Sequence, residues 1–111
     1  MTEQITTMDW GADVRKHVSE VDEKAVAGIV RYCGIALQKK DASLVAFNDK
    51  TEVERVREHF LKRKLGLVDP NAELDKAIVK VGERMKSGHS KNRVTAYYLL
   101  ADHFGKLPAF H

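Results

Sequence analysis

The sequence predicts an all-α domain, a compact bundle of four or five helices around a central helix near the end of the chain. Three observations predict it. Apolar residues recur at spacings of three and four in successive stretches, which is the period of a half-buried helix. The segment from Ser90 to Phe104 carries Val94, Ala96, Tyr97, Tyr98, Leu99, Leu100, Ala101 and Phe104, which point in nearly every direction around a helix axis; a surface helix would confine them to one stripe. No useful length alternates with period two, and no Asn-Gly or Asp-Gly hairpin turn is present. At 111 residues the chain suits one domain, assigned to 9–111 after a flexible lead-in expected at 1–8, where Met1 is followed by a stretch to Thr7 that is polar apart from Ile5.

Asp9 is placed to cap a short first helix running to about Val18, with Trp10, Val14 and Val18 four residues apart on one face. Asp22 opens the second helix, where Val26, Ile29, Val30, Cys33 and Leu37 form the apolar face. Ala25, Ala27, Gly28 and Gly34 are small enough for a neighbouring backbone to approach. Close packing is the reading taken for all four, with a bend or break at Gly34 as the alternative. The stretch from Asp41 to Asn48 suits a short turn or an irregular connection.

Asp49 and Glu52 have capping-box spacing, and Val53, Val56, Phe60 and Leu61 then continue a third helix. Gly66 is placed as its left-handed terminal residue, with Leu67 as the accompanying apolar contact. Asp69-Pro70-Asn71 combines a turn with a fourth helix start, proline suiting a first helical position. Leu74, Ala77, Ile78, Val81 and Met85 give this helix its inner face, and Gly88 stops it. Gly105 ends the last helix, Pro108 prevents its resumption, and Leu107 and Phe110 are free to fold back onto the core.

Composition narrows the function classes. A single cysteine, Cys33, excludes an intramolecular disulfide and reads as a small buried hydrophobe. No segment approaches the roughly 18 apolar residues that span a bilayer, and no secretory pattern opens the chain, so a cytoplasmic location is expected. A net charge of +3 permits a polyanion partner without requiring one.

The five histidines, His17, His59, His89, His103 and His111, form no His-x-x-x-His pair. Glu58-His59 resembles the start of a zinc-protease helix, but Lys62 stands where the second histidine belongs. No metal or cofactor is expected. Nucleophile-elbow, phosphate-loop and dinucleotide-binding patterns are also missing, so the reading leans away from an enzyme. Tyr97 and Tyr98 diverge by about 100° on a helix and cannot form one stacking platform.

Two basic clusters remain. Arg55, Arg57, Lys62, Arg63 and Lys64 lie on the third helix, with Lys62, Arg63 and Lys64 as a candidate basic surface. Glu54 with Arg57 and Glu58 with Lys62 have pairing spacings, however, and the acids precede the bases as the helix dipole favours. The last helix reverses that order, with Lys91 and Arg93 in its first turn and Asp102 near its far end. Lys86, Ser90, Lys91, Asn92 and Arg93 therefore form a candidate anion-binding group at a helix start. The counter-charge is either an external anion or a carboxylate of the domain itself, such as Asp41, Asp49 or Asp69; alternatively the cations simply face water.

The runs Ala25-Val26-Ala27-Gly28-Ile29-Val30, Phe60-Leu61-Lys62-Arg63-Lys64-Leu65-Gly66-Leu67 and Arg93-Val94-Thr95-Ala96-Tyr97-Tyr98-Leu99-Leu100 resemble a bacterial domain-of-unknown-function family, number 2853. The resemblance extends from about Asp9 to Leu107 and implies a compact helical domain of bacterial origin, with no activity, ligand or catalytic residue to carry over. The functional expectation is a small non-catalytic helical domain acting by self-association or contact with another protein. The alternative is a polyanion-binding module, for nucleic acid or phosphate, using the basic residues named above.

Overall fold

The last helix is the axis of the molecule. In a computed structural model, which describes residues 10–38, 43–86 and 91–111, five helices occur among the described residues: α1 (Trp10–Val14), α2 (Glu23–Cys33), α3 (Lys50–Arg55, continued by a π-helical stretch Val56–Lys64), α4 (Asn71–Arg84) and α5 (Arg93–His103). Short 3-10 segments follow α2 (Gly34–Gln38) and α5 (Leu107–Phe110). Every residue from Val94 to Ala101 is buried, and α1, α2 and α4 all pack against α5. An apolar circumference demands such an enclosure, so the pattern of α5 organises the bundle. The described residues contain helices and a single isolated bridge, between Leu44 and Asn92, in place of any strand.

Trp10 and Val14 of α1 are buried; the helix ends at Val14, short of the expected Val18, and Val18 packs at the core margin beyond it. The expected cap Asp9 lies outside the described residues. Asp22 caps α2, its Oδ1 accepting from the Ala25 N–H at 3.0 Å. Gly28 has the close neighbour expected of it: a methyl group there would lie 2.7 Å from Phe110 Cβ and would strike the Phe110 carbonyl. Gly34 corrects the close-packing reading. It adopts φ +50° and meets nothing within 4 Å, so it is kept for the backbone turn that ends α2. Ala27 is exposed and Ala25 buried, so close packing also fails at Ala27.

Residues 43–48 form an irregular connection that ends in a turn at Phe47 and Asn48. Val45 N–H donates to the Lys91 carbonyl at 2.8 Å and Arg93 N–H to the Ser43 carbonyl at 2.7 Å, which fastens this connection across the start of α5. Asp49 then caps α3, accepting from Thr51 and Glu52 N–H at 2.9 and 3.4 Å. Half of the capping box is made. The Asp49 N–H is satisfied by the Ala46 carbonyl at 3.1 Å, which releases the Glu52 side chain for another partner.

From Val56 the helix widens to i→i+5 bonding, closed by Leu65 N–H to the Phe60 carbonyl at 2.9 Å. The apolar spacing explains why: Val56, Phe60, Leu61 and Leu65 are buried, at intervals of four and five, and a wider turn keeps all of them inward. Gly66 takes φ +71° and Leu67 N–H reaches back six residues to the Leu61 carbonyl at 3.1 Å, the expected helix ending. Pro70 sits one residue earlier than first helical position, at the cap of α4, where its carbonyl accepts from Glu73 and Leu74. Gly88 lies outside the described residues. Gly105 ends α5 with φ +67°, and Phe110 folds back to 4% exposure.

Candidate functional site

The start of α5 brings together the most buried charges of the described chain. Arg93 Nη2 lies 2.7 Å from Glu52 Oε2 and 3.1 Å from the Leu44 carbonyl, while Nη1 donates to the Tyr97 hydroxyl at 2.9 Å. The two charged side chains are 11% and 10% exposed. Burial is the largest influence on Arg93 and opposes its charge, but Tyr97 and Glu52 together outweigh it and hold the guanidinium above its ordinary value. Burial pushes the Tyr97 hydroxyl up to about 12 despite Arg93 beside it, so Tyr97 remains a neutral hydrogen-bonding group.

An aromatic nest supports this pair from below. The Tyr97 ring stacks on Phe60 at 3.9 Å between centroids and 15° between planes. Phe110 lies 6.0 Å from Phe60, and half-exposed Tyr32 lies 5.8 Å from Phe60 and 6.2 Å from Tyr97 and Phe110. Cys33 is nearby, its thiol pushed up to about 12 by burial. This setting suits the structural reading of Cys33 and gives no reactive thiolate.

Among the sequence-selected anion group, Arg93 is thus directed to an internal carboxylate. Of the described carboxylates it is Glu52 that meets Arg93, not Asp49 or Asp69; Asp41 lies outside the described residues. Lys91 and Asn92 are half-buried beside it and Lys86 is exposed at the end of α4. The Lys91 carbonyl and the Arg93 N–H are engaged by residues 43–45, and the Asn92 side chain makes no cap bond. Ser90 lies outside the described residues.

The basic run of α3 is largely absorbed by pairing. Lys62 Nζ lies 3.0 Å from Glu58, Glu54 is 3.8 Å from Arg57, and both pairs have the spacing read from the sequence. Arg57 Nη1 also donates to both carboxylate oxygens of Asp75 on α4, at 3.1 Å to each, and its Nε donates to Glu58 at 2.8 Å. Lys64 Nζ lies over the Tyr32 and Phe110 rings at 5.4 and 5.2 Å, and Arg63 is exposed. The three residues Lys62, Arg63 and Lys64 therefore have three different neighbourhoods.

Open clefts flank α4. One of about 810 Å³ is lined by Ala72, Lys76, Ala77, Val79, Lys80 and His103 among others, and its walls are mainly apolar. A second of about 420 Å³ lies between the start of α3 and Asp75. Among the described residues no group of three His, Cys, Asp or Glu side chains is placed to hold a metal ion. His17 is half-buried, and His59, His103 and His111 are exposed, positions in keeping with surface or boundary roles.

A family model matches residues 9–108, nearly the whole chain. The chain belongs to the DUF2853 family, proteins of unknown function. None of the curated proteins compared with it matches. The DUF2853 match takes in both halves of the buried pair, Glu52 and Arg93, and stops two residues short of Phe110. Sequence reasoning alone missed Glu52 as the partner, although one signal was there: a carboxylate at the third position of a helix whose capping duty the turn before it can take over. No helix in the described part of this DUF2853 domain is long and apolar enough to cross a membrane.

Proposed function

We propose that this domain is a non-catalytic association module, acting by contact with a protein surface and first of all with a second copy of itself. The observation that carries the reading is the outer side of α4. Val79 is 53% exposed on the wall of the open, mainly apolar cleft that α4 shares with His103. Val68, 95% exposed, stands in the loop leading to α4. Apolar surface left in water in this way marks contact sites when it gathers around a cleft. The strongest polar groups, by contrast, are turned inward on one another, which leaves the α4 side as the surface with most to gain from cover.

Sedimentation velocity over a wide range of protein concentration tests this. Association is expected to grow with concentration and to weaken in Val79→Glu, which places a charge on the cleft wall without touching the core. A wild-type chain that stays monomeric throughout, or association indifferent to Val79→Glu, overturns the α4 reading. Polyanion binding draws its support from exposed Arg63, Lys64 and Lys86 and half-buried Lys91, because Arg93, Arg57 and Lys62 already face carboxylates. Were it the function, affinity for nucleic acid would fall steeply with salt as counterions are released.

A further inference from the structure

Residues 107–111 lie in a seat built by other parts of the chain. Gly28 of α2 is cut away beneath Phe110, so that the Phe110 backbone and Cβ rest where any side chain would stand. Tyr32 and Phe60 line the sides of that seat and Lys64 covers the Phe110 ring. His111 Nε2 closes it, 2.6 Å from Asp22 Oδ2. Thus α2 and α3 recognise an aromatic residue followed by an imidazole. The link from α5 into this segment is the single turn Phe104-Gly105-Lys106, where Gly105 at φ +67° and the Lys106 N–H to Ala101 carbonyl bond of 2.7 Å reverse the chain.

We propose that this segment is an exchangeable strap: when the turn at Gly105 straightens, Phe110 and His111 of one copy enter the Gly28 seat of a second copy. Opening costs little beyond that turn, because each seat contact with α2 and α3 is re-formed in the partner, and such reciprocal exchange is a low-cost route to a dimer. A short link gives the strap a high effective concentration at its own seat, so the closed monomer dominates in dilute solution and exchange rises with protein concentration. This goes beyond the α4 contact and does not depend on it.

The test separates the two halves of the latch. In a Cys33→Ala background, a chain carrying Asp22→Cys is mixed with a chain carrying His111→Cys and treated with a short bis-maleimide crosslinker, whose span replaces the reach of the imidazole and carboxylate that a direct disulfide would lack, after circular dichroism has shown that both are folded. Neither can crosslink within itself. A linked band at twice the chain mass is expected, growing with concentration, exceeding the band from either chain alone, unaffected by Val79→Glu, and lost when Gly28→Ala is added to the Asp22→Cys chain. A single chain carrying both Asp22→Cys and His111→Cys is expected to crosslink internally when dilute, which reports that the seat geometry holds. If that control closes and the mixture gives no more linked product than the separate chains, or if the link survives Gly28→Ala, exchange is overturned. A link that disappears with Val79→Glu assigns the contact to α4 and overturns it equally.

Discussion

Glu52 and Arg93, 41 residues apart in sequence, meet as a 2.7 Å ion pair with both side chains nearly buried. Arg93 stands where the α5 dipole disfavours a cation, and Glu52 stands in the first turn of α3 where a dipole favours an anion. Each helix start therefore supplies what the other needs. The pair joins α3 to the axis of the bundle, with the Leu44 carbonyl and the Tyr97 hydroxyl accepting two further guanidinium hydrogen bonds.

Breaking this pair from one side leaves the other charge without its partner in a dry site. Glu52→Gln and Arg93→Met are each expected to cost roughly 3 kcal/mol, near the lower end for a broken buried pair. The double variant Glu52→Leu with Arg93→Met is expected to cost less than the sum of its parts, since no charge is then stranded. Urea unfolding followed by circular dichroism gives all these values. Equal, additive losses would show that the two residues stabilise the fold separately.

The bundle was legible in the sequence because its instructions are local. The all-round apolar pattern of α5 required enclosure, Asp22 and Asp49 announced two helix starts, and Gly66-Leu67 announced an ending. What was not legible depended on a competitor elsewhere in space. Gly34 has the same small size as Gly28, yet only Gly28 has Phe110 above it and only Gly34 carries a positive φ. Arg93 displayed an unsatisfied charge, but which acid answers it depends on how residues 43–49 cross the start of α5. The π turn leaves only a faint mark in the sequence, the intervals of five from Val56 to Leu61 and from Phe60 to Leu65.

The two glycines are expected to fail for different reasons when changed to alanine. Gly28→Ala drives a methyl into the Phe110 backbone and is expected to cost about 1–3 kcal/mol, as overpacking does, and to speed tryptic cleavage after Lys106. Gly34→Ala meets open space but must hold φ +50° with ψ −120°, so it is expected to cost about 1–3 kcal/mol in backbone strain and to leave the Lys106 cleavage rate unchanged. Denaturant titration alongside proteolysis distinguishes them. Equal acceleration of cleavage in both variants would contradict separate causes.

Cys33 is expected to resist thiol reagents while the protein is folded. With the thiol pushed up to about 12, the thiolate fraction at pH 8 is on the order of 10⁻⁴, against a sizeable fraction for a free cysteine. Arg93 pulls in the opposite direction without overcoming burial. Reaction with an aromatic disulfide reagent should therefore be slow in buffer and rapid in urea. Rapid reaction in buffer would place the thiol in an open, polar setting and contradict its burial.

Asp22 links acid stability to the strap. The hydrogen bond from His111 is the main reason its carboxyl is held below the ordinary 3.8, assisted by the Ala25 N–H and opposed by burial. A carboxyl with a depressed folded value binds protons more readily when unfolded, so its contribution to stability is in place above the unfolded value and is lost as pH falls through the folded one. The wild-type chain is therefore expected to lose stability over the window below pH 3.8 more steeply than His111→Ala, in which the Asp22 titration moves upward. Carboxyl chemical shifts of Asp22 followed from pH 6 to pH 2, with urea midpoints at the same pH values, measure both quantities. Coincident Asp22 titrations in the two chains would mean that His111 does not hold the carboxylate, and the strap would then rest on Phe110 and Gly28 alone.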